Sequence, residues 1–144
     1  MLLTAKILLT IATLGYSAIP AFFDTNKTHV TNPSFPGHAR FHIVWQVSSY
    51  VYIAILALYL IWTAGTNTWP LWIAAILAGS AYLGFWTAVT AGPLYGGKVV
   101  SEVNPVPVFS WNLLGWKFKT DANISIFTPA VIIVAAGVFA LAQV

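Results

Sequence analysis

Two histidines one helical turn apart, His38 and His42, are the side chains in this sequence best suited to chemistry. The chain has only three histidines, and the third, His29, lies in the same polar segment. Helical residues four apart share one face, with their β-carbons about 5–6 Å apart. Two imidazoles at that spacing can bind one metal ion, and an imidazole beside a carboxylate can transfer protons near neutral pH.

Further polar side chains could complete a site around this pair. Gln46 follows His42 by four residues, so a helix starting near Pro36 or Gly37 would carry a polar stripe, which we expect to face the protein interior. Two or three histidines with one or two carboxylates suit zinc or non-haem iron, and the same groups suit metal-free acid–base catalysis. The catalytic candidates are His38, His42, Asp24 and Glu102, the metal-ligand candidates are His38 and His42, and the ligand-binding candidates are His29, Asn32, Arg40, Gln46 and Asn104.

Each candidate also has a purely structural interpretation, which stays open at this point. The histidine pair could line the entrance of a helix at a membrane interface, and Arg40 could extend toward a lipid phosphate or bind an anion. Asp24 and Asn32 could serve as a helix cap and a turn residue. Glu102 could pair with Lys98, four residues earlier, if that stretch is helical.

The composition predicts the elements that must position these residues. Only 6% of the 144 residues are charged, and the mean hydropathy is +0.83, whereas soluble domains carry about 25% charged residues. With about 20 apolar residues needed per span, four spans and two loops use up the length. We therefore predict an all-α integral membrane protein, an antiparallel four-helix transmembrane bundle in one domain over residues 1–144. The helices are expected at about 2–22, 42–64, 69–91 and 124–142, with loops at about 23–41 and 93–123.

The first apolar run could be mistaken for a signal peptide. It is longer than the 7–15-residue core typical of such peptides, so we expect a retained first helix, ended or kinked by Pro20. With four spans, both loops fall on one side of the membrane, together with all the histidines and acidic residues. The loops also carry most of the basic residues, so the positive-inside rule predicts cytoplasmic loops and termini on the opposite side.

Two other patterns concern packing. Trp111 and Trp116 predict a stretch that lies along the membrane interface, either as an anchor or as a lid over a cavity. A ridge of small residues at four-residue spacing predicts close approach of a helix to the third span. Its members are Ser80, Gly84, Ala88 and Gly92.

Absent features exclude several classes of function. The chain has no cysteine, which rules out disulfides and thiolate sites. It has no phosphate-binding glycine loop, and its small net charge of +3 does not indicate nucleic acid. The spans carry no charge except Lys6, which argues against an ion pump or proton-driven transporter.

The segment Asn32-Pro33-Ser34-Phe35-Pro36-Gly37-His38-Ala39-Arg40-Phe41-His42, preceded by His29 and followed by Trp45-Gln46, resembles a family of small four-span membrane proteins of DoxX-like build. The motif covers about a tenth of the chain. The resemblance implies a four-helix build and highlights the His29, Asn32, His38, Arg40 and His42 positions. It implies no particular activity.

Two functions therefore remain as expectations. The first is a small membrane enzyme or ligand-binding protein acting on a lipophilic sterol-like, isoprenoid or quinone-type molecule at a histidine–carboxylate site, with zinc or iron as the candidate cofactor. The second is an accessory subunit of a larger photosynthetic or respiratory membrane complex, with a pigment or haem ligated by His38 or His42. The partners expected are the lipid bilayer and either the lipophilic molecule or that complex.

Overall fold

The computed structural model describes residues 1–100 and 105–144, and this part of the chain is mostly helical. It contains α1 (Leu2–Asp24), α2 (Gly37–Thr63), α3 (Trp69–Tyr95) and α4 (Ala122–Ala142). Each of these helices is long and apolar enough to cross a membrane. The prediction of four apolar helices is therefore confirmed.

Three helix boundaries differ from those expected from hydropathy. α1 continues through the buried Pro20 to Asp24 instead of ending at the proline. α2 begins at Gly37, five residues before the apolar run. Pro36, just before it, has an extended backbone, so the helix starts at the next residue and not where the hydropathy rises. α3 likewise includes Pro93 and ends at Tyr95.

The end of α3 depends on glycine. Gly96 adopts a left-handed conformation with φ of 71°, and the Gly97 N–H donates to the Gly92 carbonyl at 2.9 Å. This pattern satisfies terminal helix carbonyls and reverses the chain direction. A β-carbon on Gly92 would lie 3.0 Å from the Gly97 carbonyl oxygen, so the turn needs a very small residue there.

A β-hairpin corrects the all-α expectation. Strands β1 (Val108–Leu113) and β2 (Trp116–Asp121) pair antiparallel within the segment predicted as a loop. Leu114 and Gly115 join them with φ of 51° and 88°, the positive values that a tight two-residue hairpin turn requires. Aromatic and β-branched side chains favour strands, which accounts for the hairpin in this segment.

The hairpin leads directly into α4. Asp121 ends β2 and caps α4, since its Oδ1 accepts a hydrogen bond from the Ile124 N–H at 3.0 Å. The Trp111 indole N–H donates to Thr120 Oγ1 at 2.6 Å, and Thr120 in turn hydrogen-bonds Ser125 at 2.6 Å. These contacts fix the hairpin to the first turn of α4.

The core consists of small and aliphatic side chains from all four helices together with two buried tyrosines. α1 contacts each of the other three helices, and α3 contacts both α2 and α4. One cluster of buried residues contains Ala5, Leu9, Ala57, Ile61, Ala64, Leu71, Ala74, Ala75, Ala140 and Leu141, and a second contains Ala12, Tyr16, Ala54, Ala78, Tyr82 and Ala130. Close packing of alanines lets the helix backbones approach each other.

The small-residue ridge of α3 does not form that interface. Ser80, Gly84 and Ala88 are exposed, and a β-carbon built on Gly84 meets nothing within 4 Å. The buried residues of α3, such as Ala78 and Tyr82, lie on a different side of the helix from this ridge. Of the ridge residues, only Gly92 is buried, at the helix end.

Candidate functional site

His38 and His42 contact each other directly. Their Nε2 atoms lie 3.0 Å apart, and the rings meet edge to face with centroids 4.5 Å apart. At this distance one neutral ring donates its Nε2–H and the other accepts with an Nε2 lone pair. Both side chains are exposed, so the pair is open to the surroundings of the helix.

Aromatic rings surround the pair on the same helix. The His42 ring stacks on Trp45 with centroids 5.9 Å apart, and the Phe41 ring lies 6.1 Å from that of Trp45. Phe41 and Trp45 are 60% and 61% exposed. Together with Val44 they line an open depression of about 330 Å³. We call His38, Phe41, His42 and Trp45 the histidine–aromatic face.

Gln46 continues this exposed surface rather than facing the interior as expected. Its Nε2 donates to the Tyr50 hydroxyl at 3.1 Å. The Tyr50 ring is half-buried and meets that of Tyr16 edge to face at 6.1 Å. The polar stripe therefore runs along the outside of α2 and reaches the core only through the Tyr50 ring.

Asp24 and His29 form a separate pair. Asp24 Oδ1 lies 3.4 Å from His29 Nδ1, and the Thr28 hydroxyl lies 3.0 Å from the same nitrogen. Each side chain of the pair is about one-third exposed. Within the part of the chain that the structure describes, no hydrogen bond or ion pair joins Asp24 or His29 to His38 or His42. The carboxylate contact recorded for Asp24 is therefore with His29 and not with the histidine pair.

Asn32 shapes the loop between α1 and α2. Its side-chain Oδ1 accepts from the Ser34 N–H at 2.9 Å, and its own N–H donates to the His29 carbonyl at 3.1 Å. The side chain is buried. These bonds are those of a turn-forming asparagine, as its structural interpretation predicted.

Arg40 is half-buried in the first turn of α2. Its backbone N–H donates to the Pro36 carbonyl at 3.1 Å. Its Nε is buried and makes no hydrogen bond within the described residues. The side chain therefore retains unused hydrogen-bonding capacity next to the histidine pair in sequence.

Two predicted site residues, Glu102 and Asn104, lie outside the described residues, and so does the proposed pairing of Glu102 with Lys98. Immediately before them, the end of α3 and the start of α4 enclose a second cavity of about 260 Å³. Its lining consists of Phe85, Ala88, Val89, Tyr95, Gly97, Lys98, Val99 and Asn123.

The metal prediction rests on two ligands only. In residues 1–100 and 105–144, no group of three or more histidine, cysteine, aspartate or glutamate side chains is placed to hold a metal. His38 and His42 alone present converging ring nitrogens. Further ligands to an ion there would have to come from solvent, from lipid or from a bound molecule.

Sequence reasoning missed a cluster of hydroxyl groups in the core. The Tyr82 hydroxyl donates to the Ala12 carbonyl at 2.7 Å, whereas the buried Tyr16 hydroxyl and Thr13 Oγ1 make no hydrogen bond within the described residues. Thr13, Tyr16 and Ser17 recur at helical spacing on the buried face of α1. This helical spacing of hydroxyl-bearing residues is the sequence pattern that could have predicted hydroxyl groups in the core.

No family model, no curated protein and no solved structure matches this chain. The DoxX-like resemblance is not confirmed, and its support consists of the quoted motif and the four apolar helices.

Proposed function

We propose that this chain is an integral membrane protein that binds a lipophilic molecule with a polar head at its histidine–aromatic face. Its four helices would form an antiparallel transmembrane bundle, with both long connections on the cytoplasmic side. The length and apolar character of the helices support the membrane setting. The short α2–α3 connection, residues 64–68, supports antiparallel neighbours.

The observation that carries the proposal is the outward orientation of the histidine pair beside exposed aromatic rings. At the boundary between headgroups and hydrocarbon, exposed imidazoles can bind the polar head of a molecule whose apolar part lies in the bilayer. Phe41, Val44 and Trp45 offer an apolar depression next to the two imidazoles. A ring with oxygen substituents, such as a quinone head, could lie against Trp45 while its oxygen accepts a hydrogen bond from an imidazole N–H.

Helix length supports a suitable membrane depth for this face. The 27 residues of α2 extend about 40 Å, compared with about 30 Å for the hydrocarbon core of a bilayer. The first turns of α2, with His38 and His42, would therefore lie near the boundary between headgroups and hydrocarbon. The polar heads of quinone, isoprenoid and sterol-like molecules lie at this depth.

The binding form of the hypothesis is better supported than the catalytic form. An acid–base mechanism at the pair requires a carboxylate nearby, and Asp24 instead pairs with His29. Glu102 remains a catalytic candidate outside the described residues. Binding needs only the groups that the face already presents.

A fluorescence titration tests this proposal. The protein, in phosphatidylcholine nanodiscs with a chelator present, is titrated with decylubiquinone, whose ring quenches indole fluorescence on contact. The difference between wild type and Trp45→Phe isolates the Trp45 signal, and Trp62→Phe, about 25 Å along the same helix, is the matched control.

If the quinone binds, the quenching of Trp45 fluorescence should saturate with increasing quinone in the wild type. In the His38→Ala/His42→Ala variant the same quenching should increase only linearly. The quenching of Trp62 fluorescence should increase linearly with quinone in both proteins, as expected for a quencher that merely dissolves in the bilayer. The proposal is refuted if Trp45 quenching is linear in quinone in the wild type, or if it saturates equally in the double variant.

The predicted sidedness has its own test. Because the natural chain lacks cysteine, single substitutions such as Ser34→Cys and Val144→Cys give unique labelling sites. Cytoplasmic loops predict that a membrane-impermeant maleimide labels only Val144→Cys in intact cells. Labelling of Ser34→Cys alone would reverse the proposed orientation.

A second candidate function is an accessory subunit of a larger membrane complex. The exposure of Gln46 on α2, hydrogen-bonded to Tyr50, favours it, because a protein partner would cover this polar pair better than lipid. Purification in mild detergent distinguishes the two functions. A co-purifying or coloured assembly supports the subunit, and an uncoloured monomer or homodimer supports the binding protein.

A further inference from the structure

We infer that His38 and His42 form a two-histidine clamp for a divalent transition-metal ion on the outer face of α2. The inference concerns the same face as the proposed function but does not require a lipophilic ligand. It rests on the 3.0 Å separation of the two Nε2 atoms and on the exposure of both rings.

The separation fits two ligands of one ion. With Zn–N bonds of 2.0–2.1 Å, two nitrogens in a tetrahedral site are about 3.3 Å apart, and two at right angles about 2.9 Å. The observed distance lies between these values, so binding requires shifts of only a few tenths of an ångström. The rings meet edge to face, and side-chain rotation of the two exposed histidines turns both Nε2 lone pairs toward a common ion.

Metal binding replaces the hydrogen bond between the rings. In the metal-free pair, one neutral imidazole carries its proton on Nε2 and donates it to the other ring. When the ion binds, this proton moves to Nδ1 of the same ring, so that both Nε2 lone pairs face the ion. Two neutral imidazoles bind without net release of a proton.

The remaining coordination positions would face outward. No third histidine, aspartate or glutamate completes the site among the described residues. Water, a lipid phosphate or an oxygen of a bound lipophile could occupy these positions. The ion would then link the protein to a polar group at the membrane surface, and the affinity order should favour Cu²⁺ over Ni²⁺ and Zn²⁺.

The experiment uses the full chain, prepared without a polyhistidine tag, in phosphatidylcholine nanodiscs. Cu²⁺ is titrated and followed by electron paramagnetic resonance, with Zn²⁺ as a competitor. We expect one Cu²⁺ per chain, with coupling to two imidazole nitrogens. His38→Ala and His42→Ala should each lower the affinity at least about tenfold.

Two variants make the interpretation specific. His29→Ala is the matched control, since His29 pairs with Asp24, and it should leave the affinity unchanged. Combining His38→Ala with Gln46→His rebuilds an i, i+4 pair one turn further along the exposed face and should restore two-nitrogen coordination.

Three results would overturn the inference. These are Cu²⁺ binding that survives both single alanine substitutions, equal loss in His29→Ala, and a spectrum with only one coordinated nitrogen. The quinone titration is run with a chelator present, so it is independent of metal. Failure of either experiment therefore leaves the other conclusion standing.

Discussion

Two buried tyrosines in the core offer a matched test of the packing. Tyr16 and Tyr82 are 1% and 3% exposed, and their rings meet edge to face with centroids 6.2 Å apart. The Tyr82 hydroxyl donates to the Ala12 carbonyl of another helix at 2.7 Å, whereas the Tyr16 hydroxyl makes no hydrogen bond of standard geometry within the described residues and has the Thr13 side chain of its own helix beside it. Replacing each tyrosine by phenylalanine therefore removes two hydroxyl groups that differ mainly in hydrogen bonding.

Tyr82→Phe should lower the free energy of unfolding, because a hydrogen bond between two helices is lost. Such bonds contribute about 0.6 kcal/mol on average in membrane proteins and up to about 1.5 kcal/mol in soluble ones. This corresponds to a roughly threefold to twelvefold change in the unfolding equilibrium constant. Tyr16→Phe removes a buried hydroxyl that has only the Thr13 side chain of the same helix beside it, and it should lower stability by less than Tyr82→Phe or leave it unchanged.

Unfolding by dodecyl sulfate in mixed micelles, followed by circular dichroism, measures both effects under one set of conditions. The two variants keep both rings, so differences in aromatic packing largely cancel between them. If Tyr16→Phe destabilises the protein as much as Tyr82→Phe, the Tyr16 hydroxyl has a binding partner, and the assignment of an unsatisfied group in the core is refuted.

Two further predictions concern backbone positions that sequence composition does not highlight. Gly15→Ala should destabilise the wild type by about 1–3 kcal/mol, because its β-carbon would lie 2.5 Å from the Tyr82 hydroxyl, and by clearly less when Tyr82 is already phenylalanine. The same dodecyl sulfate titrations give this coupling, and equal effects in both backgrounds would contradict the close approach. Leu114→Gly should stabilise the hairpin by about 0.5–1 kcal/mol, because Leu114 is 95% exposed and has φ of 51°. Slower proteolysis after Trp111 or Phe118 would report the gain, and faster cleavage would show that Leu114 makes a stabilising contact of its own.

The helices could be predicted from sequence because the signal is local. Twenty or so apolar residues in succession indicate a span whatever the rest of the chain does. The hairpin could not be predicted in this way. Its tryptophans and lysines indicate a position at the membrane interface whatever the secondary structure, and its turn has a leucine at positive φ, where glycine, asparagine or aspartate is the usual signal.

In the candidate site, too, contacts within one helix could be predicted, and contacts that depend on packing could not. The contact between His38 and His42 follows from i, i+4 spacing within one helix, and the structure has it. The placement of Gln46 and Asp24 relative to that pair depends on how the helices and the first loop pack. Beyond its first turns, α2 carries apolar residues on all sides, so periodicity does not reveal which face is buried. For this reason the sequence did not show that the polar stripe of His38, His42 and Gln46 lies on the exposed side of α2.

The contact between α1 and α4 has a consequence for how the protein is made. α1 is synthesised before the other three helices, yet part of its buried surface is covered by α4, and two helices and a hairpin are synthesised between them. During that interval Leu9 and its neighbours lack their final partners, including Gly137. The core can therefore close only after α4 has been synthesised, and until then one flank of α1 lacks the surface that covers it in the final fold.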